Sequence, residues 1–181
     1  MLLGKNEETN MDKGYVQIYT GNGKGKTTAA FGLALRAAMS GKKVFIGQFV
    51  KNMKYNETRI ENYLDNIQIK QFGRGCFIYE KPEDADKEAA KKGLDECGEI
   101  LTGGEYDLVI LDEINIALYY KLFEVSDVIN VLYNKAEKTE VVLTGRYAPQ
   151  ELIDMADLVT EMVEVKHYYS QGVLSRDGID C

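Results

Sequence analysis

Cysteine and histidine are scarce in this 181-residue sequence, with three of the first and one of the second. Cys76, Cys97 and Cys181 are odd in number and widely spaced, which excludes a disulfide framework and any zinc-ligand pattern. Cys181 lacks the C-a-a-X arrangement of a prenylated terminus. His167 stands without a nucleophile pattern and reads as a structural or solvent-facing residue. No apolar run reaches the length of a membrane span, and no charged–apolar–small leader opens the sequence. The expectation is a soluble, cytoplasmic protein with no membrane partner. Positive charge is in deficit: 22 Lys and Arg against 29 Asp and Glu leave a net charge of −7, which argues against a general nucleic-acid binder. No internal repeat or linker interrupts the chain.

What is present is enough for one folded unit. A hydrophobic content of 45% excludes bulk disorder. Residues 1–13 are polar and are expected to be a flexible N-terminal segment, with residues 14–181 as a single domain. Charge is uneven along the chain. Residues 1–81 carry 13 basic against 7 acidic side chains, and residues 82–181 carry 9 against 22. An anionic ligand held by the basic half and a solvated acidic helix near Pro82–Asp95 both account for this.

The densest signal is Thr20-Gly21-Asn22-Gly23-Lys24-Gly25-Lys26-Thr27-Thr28. It follows an apolar run, Tyr15–Tyr19, and precedes a helical pattern, Ala29–Met39. A strand, a glycine-rich turn ending in Gly-Lys-Thr and then a helix form a cradle for a nucleotide triphosphate. The glycines allow backbone N–H groups to converge, and the helix N-terminus adds partial positive charge. Gly21, Asn22, Gly23, Lys24, Gly25, Lys26, Thr27 and Thr28 are therefore the candidate nucleotide-binding residues. Lys26 supplies a full charge, and the Thr27 hydroxyl can reach magnesium. Thr20 occupies the first glycine position of the usual G-x-x-x-x-G-K-[ST] pattern. The dinucleotide pattern G-x-G-x-x-G fails, because Lys26 stands at its third glycine.

A second signal is Leu108-Val109-Ile110-Leu111-Asp112-Glu113, an apolar strand ending in two carboxylates. Ligands of open α/β sheets bind at that strand edge. Either Asp112 or Glu113 would sit near Thr27 and hold magnesium, directly or through water. Thr144-Gly145-Arg146 follows a later strand, and Arg146 can grip phosphate in a forked geometry.

Strands are expected near 15–20, 43–50, 67–72, 107–111, 140–144 and 158–166. Helices are expected near 26–40, 57–64, from Pro82 to about Leu101, at 127–137 with Ser126 as N-cap, and from Pro149 through Asp154. Strands alternating with helices predict an α/β fold of the P-loop NTPase type, a mostly parallel sheet with helices on both faces.

These motifs resemble the P-loop-type corrinoid (cob(I)alamin) adenosyltransferases from about Lys13 to Asp180. The resemblance is carried by the Gly-Asn-Gly-Lys-Gly-Lys-Thr-Thr loop, Val109–Glu113, Leu143–Arg146, Ala156–Met162, Val165-Lys166-His167, and the tail from Gly172-Val173 to Gly178-Ile179-Asp180. It implies transfer of the 5′-deoxyadenosyl group of ATP to the Co(I) of a corrinoid, cobalamin or a precursor, with triphosphate released. It also implies Mg2+ or Mn2+ as cofactor, a flavin-type reductase as electron donor and a homodimer. Lys26, Glu113 and Arg146 become the candidate catalytic residues, and Thr27, Glu113 and Asp112 the candidate metal ligands. Phe77 and Tyr79 match the family's aromatic pair, which excludes cobalt's axial ligand on the corrinoid side; the family often has tryptophan at the second position. Two other readings of the phosphate loop remain: a different P-loop ATPase or kinase, and an ATP- or adenosylcobalamin-binding module with little turnover.

Overall fold

A computed structural model describes residues 13–51, 53, 55–73 and 82–180. Residues 1–12 of the expected N-terminal segment, and the aromatic pair Phe77 and Tyr79, lie outside the described residues. Among the described residues six strands form one sheet: β1 (Val16–Thr20), β2 (Val44–Phe49), β3 (Ile67–Phe72), β4 (Leu108–Asp112), β5 (Glu140–Thr144) and β6 (Leu158–Glu161). Their spatial order is β3-β2-β4-β5-β1-β6, and every pairing is parallel. Among the described residues five helices connect them: α1 (Lys26–Met39), α2 (Asp84–Gly103), α3 (Ile114–Tyr119), α4 (Val125–Tyr133) and α5 (Gln150–Met155). Short 3₁₀ turns cover Asn56–Asn62 and Tyr168–Gln171.

Strands β2 and β4 are buried along their whole length, and β5 from Val141 on, because both faces of the sheet are covered. On one face Val16, Ile18, Phe45, Val109, Leu111, Val141 and Leu143 pack with residues of α2 to α5, such as Leu94, Leu118, Leu132 and Leu152. On the other, Val44, Ile46, Leu108, Ile110 and Val142 pack with Ala30, Phe31, Ala34 and Ala37 of α1. The alternation of strand side chains between the two clusters fixes the register, since a slip of one residue would exchange the faces. Among the described residues no helix is long and apolar enough to cross a membrane.

Four expectations need correction. Ser126 does not cap α4; Glu124 does, through reciprocal bonds between its side chain and the Asp127 N–H and between Asp127 and its own N–H, the latter 3.0 Å. This capping box starts the helix earlier than the Ser126 reading did. The same helix stops at Tyr133, where the Asn134 side chain donates to the Asn130 carbonyl at 2.8 Å. Pro82 lies outside α2, which Glu83 and Asp86 cap in the same reciprocal way. The last strand ends at Glu161, short of Lys166. Glu161 pairs with Thr20, the final residue of β1, and beyond it β1 has become the loop and offers no ladder.

Candidate active site

The phosphate loop is built by two glycines in left-handed backbone. Gly21 has φ +91° and Gly25, the N-cap of α1, has φ +115°. Thr20 needs no such freedom, because it still belongs to β1 and its hydroxyl accepts from the Ala148 N–H at 3.3 Å. A Cβ on Gly21 or Gly23 would meet the Met162 carbonyl oxygen at 2.5 or 2.7 Å, and Gly23 N–H donates to that oxygen at 2.6 Å. The loop is thus held against the chain that leaves β6. Asn22 and Thr28 are exposed.

Lys26 is buried and folds back over the loop, donating to the Gly21 and Gly23 carbonyls at 2.8 and 2.7 Å. Burial holds its pKa below the usual lysine value, opposed by the charge of Glu113 and reinforced by that of Arg146. An ammonium in this setting gains from any anion that enters the loop. Arg146 itself is exposed, and both Lys26 and Glu113 feel its charge.

The strand order brings the second motif to the first. β5 lies between β1 and β4, and its Thr144 bridges them. Asp112 is completely buried, yet four side chains donate to its carboxylate. Thr27 and Thr144 donate to Oδ1 at 2.9 and 2.8 Å, and Gln48 and Lys51 donate to Oδ2 at 3.0 and 2.7 Å. Gln71 extends the chain by donating to Gln48 at 2.9 Å. Burial alone would favour the neutral acid. The Lys51 charge and the hydrogen bonds from Lys51, Thr144 and Thr27 outweigh it, so Asp112 titrates below its ordinary value. Lys51 titrates high for the reciprocal reason: burial opposes its charge, and Asp112, Glu113 and Glu57 overcome that.

Glu113 behaves differently. Burial and the adjacent Asp112 charge raise its pKa, and Lys51, Lys26 and Arg146 only partly offset them. Its backbone is left-handed at φ +60°, and its N–H donates to Thr144 Oγ1 at 2.9 Å. Neighbouring carboxylates with opposite shifts at one sheet edge have the pattern of a functional site. Glu113 also lines a cleft of about 630 Å³ with Thr27, Thr28, Lys51, Tyr55 and Ile179.

Of the predicted nucleotide residues, Lys24 has a different neighbourhood from Lys26. Its ammonium meets Asp180, the Tyr168 hydroxyl and the Ile179 carbonyl. His167 accepts the Tyr169 N–H at Nδ1, 3.0 Å away, and so caps a 3₁₀ turn. Sequence reasoning missed Lys51, Gln48 and Thr144. Lys51 had one available signal: a lysine just past a largely apolar strand, at the same sheet edge as the phosphate loop.

No group of three or more His, Cys, Asp or Glu side chains among the described residues forms a metal cage. A magnesium ion fits such a site nonetheless. It keeps most of its water and is held by one or two protein oxygens together with substrate phosphates, and Thr27, Asp112 and Glu113 are oxygen donors of that kind.

The family model described as ATP:corrinoid adenosyltransferase BtuR/CobO/CobP matches residues 12–181. The corrinoid adenosyltransferase of Sinorhizobium sp is 37% identical over 174 residues, covering 93% of this chain and 81% of that protein. That of Escherichia coli strain K12 is 33% identical over 171 residues, covering 93% and 86%. Corrinoid adenosyltransferase CobA of Salmonella typhimurium strain LT2 is 34% identical over the same length, with the same coverage. A glycine-rich loop with its lysine turned inward, a buried strand-end carboxylate bonded to the loop threonine, and a match along nearly the whole sequence agree: the chain belongs to the ATP:corrinoid adenosyltransferases, enzymes that transfer the adenosyl group of ATP to a corrinoid.

Proposed function

We propose that the triphosphate of ATP lies in the Gly21–Thr28 loop, and that the residues at this sheet edge stabilise it as the leaving group. The Thr27–Asp112 hydrogen bond of 2.9 Å, beside the buried Lys26, carries this reading. The reduced corrinoid attacks the ribose C5′ carbon with the electron pair of Co(I). A Co–C bond forms, the C5′–O bond breaks, and triphosphate departs with the bonding pair while cobalt becomes formally Co(III). Charge grows on the oxygens nearest the loop. Lys26 meets it with a full charge, the backbone N–H groups and the α1 N-terminus with partial ones, and Arg146 closes from the β5 side.

Mg2+ or Mn2+, when bound, would neutralise the phosphate oxygens and orient them. Thr27 would be its protein ligand. Asp112, whose two oxygens already accept four hydrogen bonds, would orient the Thr27 hydroxyl toward it. Glu113 faces the cleft and is the carboxylate with room for a direct contact. Phe77 and Tyr79 belong to the corrinoid side, where an apolar surface keeps an axial ligand off cobalt and makes Co(II) easier to reduce. The electron donor is a flavin-type reductase, the assembly is a homodimer and the compartment is the cytoplasm.

The test is incubation of the full chain with ATP, Mg2+ and a chemically reduced corrinoid. Absorbance should develop the Co–C spectrum with one triphosphate released per adenosyl group. Chelation should stop the reaction, and Mg2+ or Mn2+ should restore it. ADP and phosphate as products would overturn the reading in favour of a hydrolase.

A further inference from the structure

We propose that the C-terminal segment from Tyr168 to Asp180 is a wall of the nucleotide cleft, and that Lys24 is the positioning residue which holds it there. The inference rests on the phosphate-loop reading above and deepens it by giving the loop's two lysines different tasks.

The first observation is saturation. A lysine ammonium has three protons to donate, and Lys24 places them on the Asp180 carboxylate, the Tyr168 hydroxyl and the Ile179 carbonyl, the last two at 3.1 Å. A carboxylate has about four acceptor sites. Asp180 fills its own with Lys24 and Tyr168 on Oδ1, and with the Arg176 N–H at 3.1 Å and the Arg176 Nε at 2.9 Å on Oδ2. The Arg176 guanidinium also lies over the Tyr168 ring, 4.7 Å from its centroid. Neither end of the Lys24–Asp180 pair has capacity left for a ligand, so the pair acts as a fastening.

The second observation is position. Asp177, three residues before Asp180, accepts from the Asn56 side chain at 2.5 Å, which ties the tail to the 3₁₀ turn that follows β2. Lys24 thus gathers the two ends of the segment, Tyr168 and Ile179–Asp180, at the phosphate loop, and Asp177 ties it to the 3₁₀ turn at Asn56, which lines the same cleft. Ser175, Gly178 and Ile179 line the same 630 Å³ space as Thr27, Thr28 and Glu113. Gly178, at φ +71°, makes the turn that brings Ile179 and Asp180 back toward Lys24. ATP bound in the loop would lie against this segment and hold it closed.

The experiment compares Lys24→Gln, Asp180→Asn, the double variant and Lys24→Arg by equilibrium binding of ATP with Mg2+, using the full chain. Each of the first two should weaken ATP by about fivefold, the scale of a partly exposed ion pair. The double variant should be no worse than either single one, because both remove the same fastening, and Lys24→Arg should stay near wild type. ATP should also protect the Arg176–Asp177 bond from trypsin in the wild type, with a midpoint at the ATP dissociation constant; this needs no variant to fold. Lys26→Ala, run alongside, reports on the phosphate loop separately. If it binds ATP as well as the wild type, the loop reading fails; if it alone is weakened, only the wall proposal fails. Unchanged or tighter ATP binding by Asp180→Asn would overturn the proposal, since it would mean that Lys24 serves phosphate and Asp180 competes for it. A double variant weakened by the product of the single effects, or trypsin cleavage indifferent to ATP, would overturn it as well.

Discussion

Lys51→Met is expected to destabilise the protein by about 3 kcal/mol at neutral pH. Removing one partner of a buried ion pair costs about 3–5 kcal/mol, because the other charge stays behind without compensation. The lower figure applies here. The Asp112 side chain is completely buried, whereas that of Lys51 is 15% exposed, so part of the lysine's charge is already shared with water. Asp112 also keeps the neutral donors Thr27, Thr144 and Gln48. For a chain of this length, about 2–4 °C of melting temperature per kcal/mol gives a fall of about 6–12 °C. The pH dependence gives a stricter check. In the wild type the folded-state pKa of Asp112 lies below the ordinary carboxylate value, so its contribution is full above that value and is lost only as pH falls through the folded one. Without Lys51, burial dominates and the folded pKa moves up, so the variant regains stability as pH falls. The gap between the two proteins is therefore largest at pH 7 and narrows toward about pH 4.5. Urea melts at both pH values measure it. A gap under about 1 kcal/mol at pH 7, or one that does not narrow in acid, would refute the account of this pair.

Lys26→Ala should lower adenosyl transfer by about 100–1000-fold, the scale of about 2.7–4 kcal/mol for one charge-stabilising donor, with little change in melting temperature; retention of most activity would remove the loop from the chemistry. Glu113→Gln should impair metal-dependent ATP use while stabilising the fold at pH 7. The raised pKa of Glu113 means that wild-type stability falls as pH rises from 4.5 through its folded value, so the gain in urea melts should be present at pH 7 and vanish below 4.5. Cys97 is completely buried and its thiol is pushed well above the ordinary value by that burial. Alkylation at pH 8 followed by mass spectrometry should find it unmodified until denaturant is added.

Much of this arrangement was legible in sequence because single positions carried strong local physics. Gly21, Gly25 and Lys26 could be read because left-handed turns and a lysine at a helix start leave a dense local pattern. The Leu108–Asp112 strand could be read because a buried parallel strand is a near-continuous apolar run, here Leu108–Leu111 closed by a carboxylate. What escaped depends on contacts between distant segments. Thr144 matters only because β5 is inserted between β1 and β4, an order that no local pattern states. Lys51 looked like the start of a polar stretch, and its meaning comes from Asp112, sixty-one residues away. Helix α3 was missed because six residues, four of them buried, show no polar face to mark a period. The aromatic pair at 77 and 79 rests on resemblance alone.

The contact between Met162 and the phosphate loop has a consequence for how this chain can change. The interaction uses the Met162 backbone, its carbonyl facing Gly21 and Gly23, while the Met162 sulfur lies beside Gly25. Substitution there keeps the backbone bond in place, while a change in length does not. One residue inserted between Glu161 and Val163 would present a different peptide group to the two glycines and displace the loop, although the insertion is about 140 residues away along the chain. The segment that leaves the sheet after β6 is therefore a place where insertions or deletions are barred, the reverse of the tolerance expected of a surface connection.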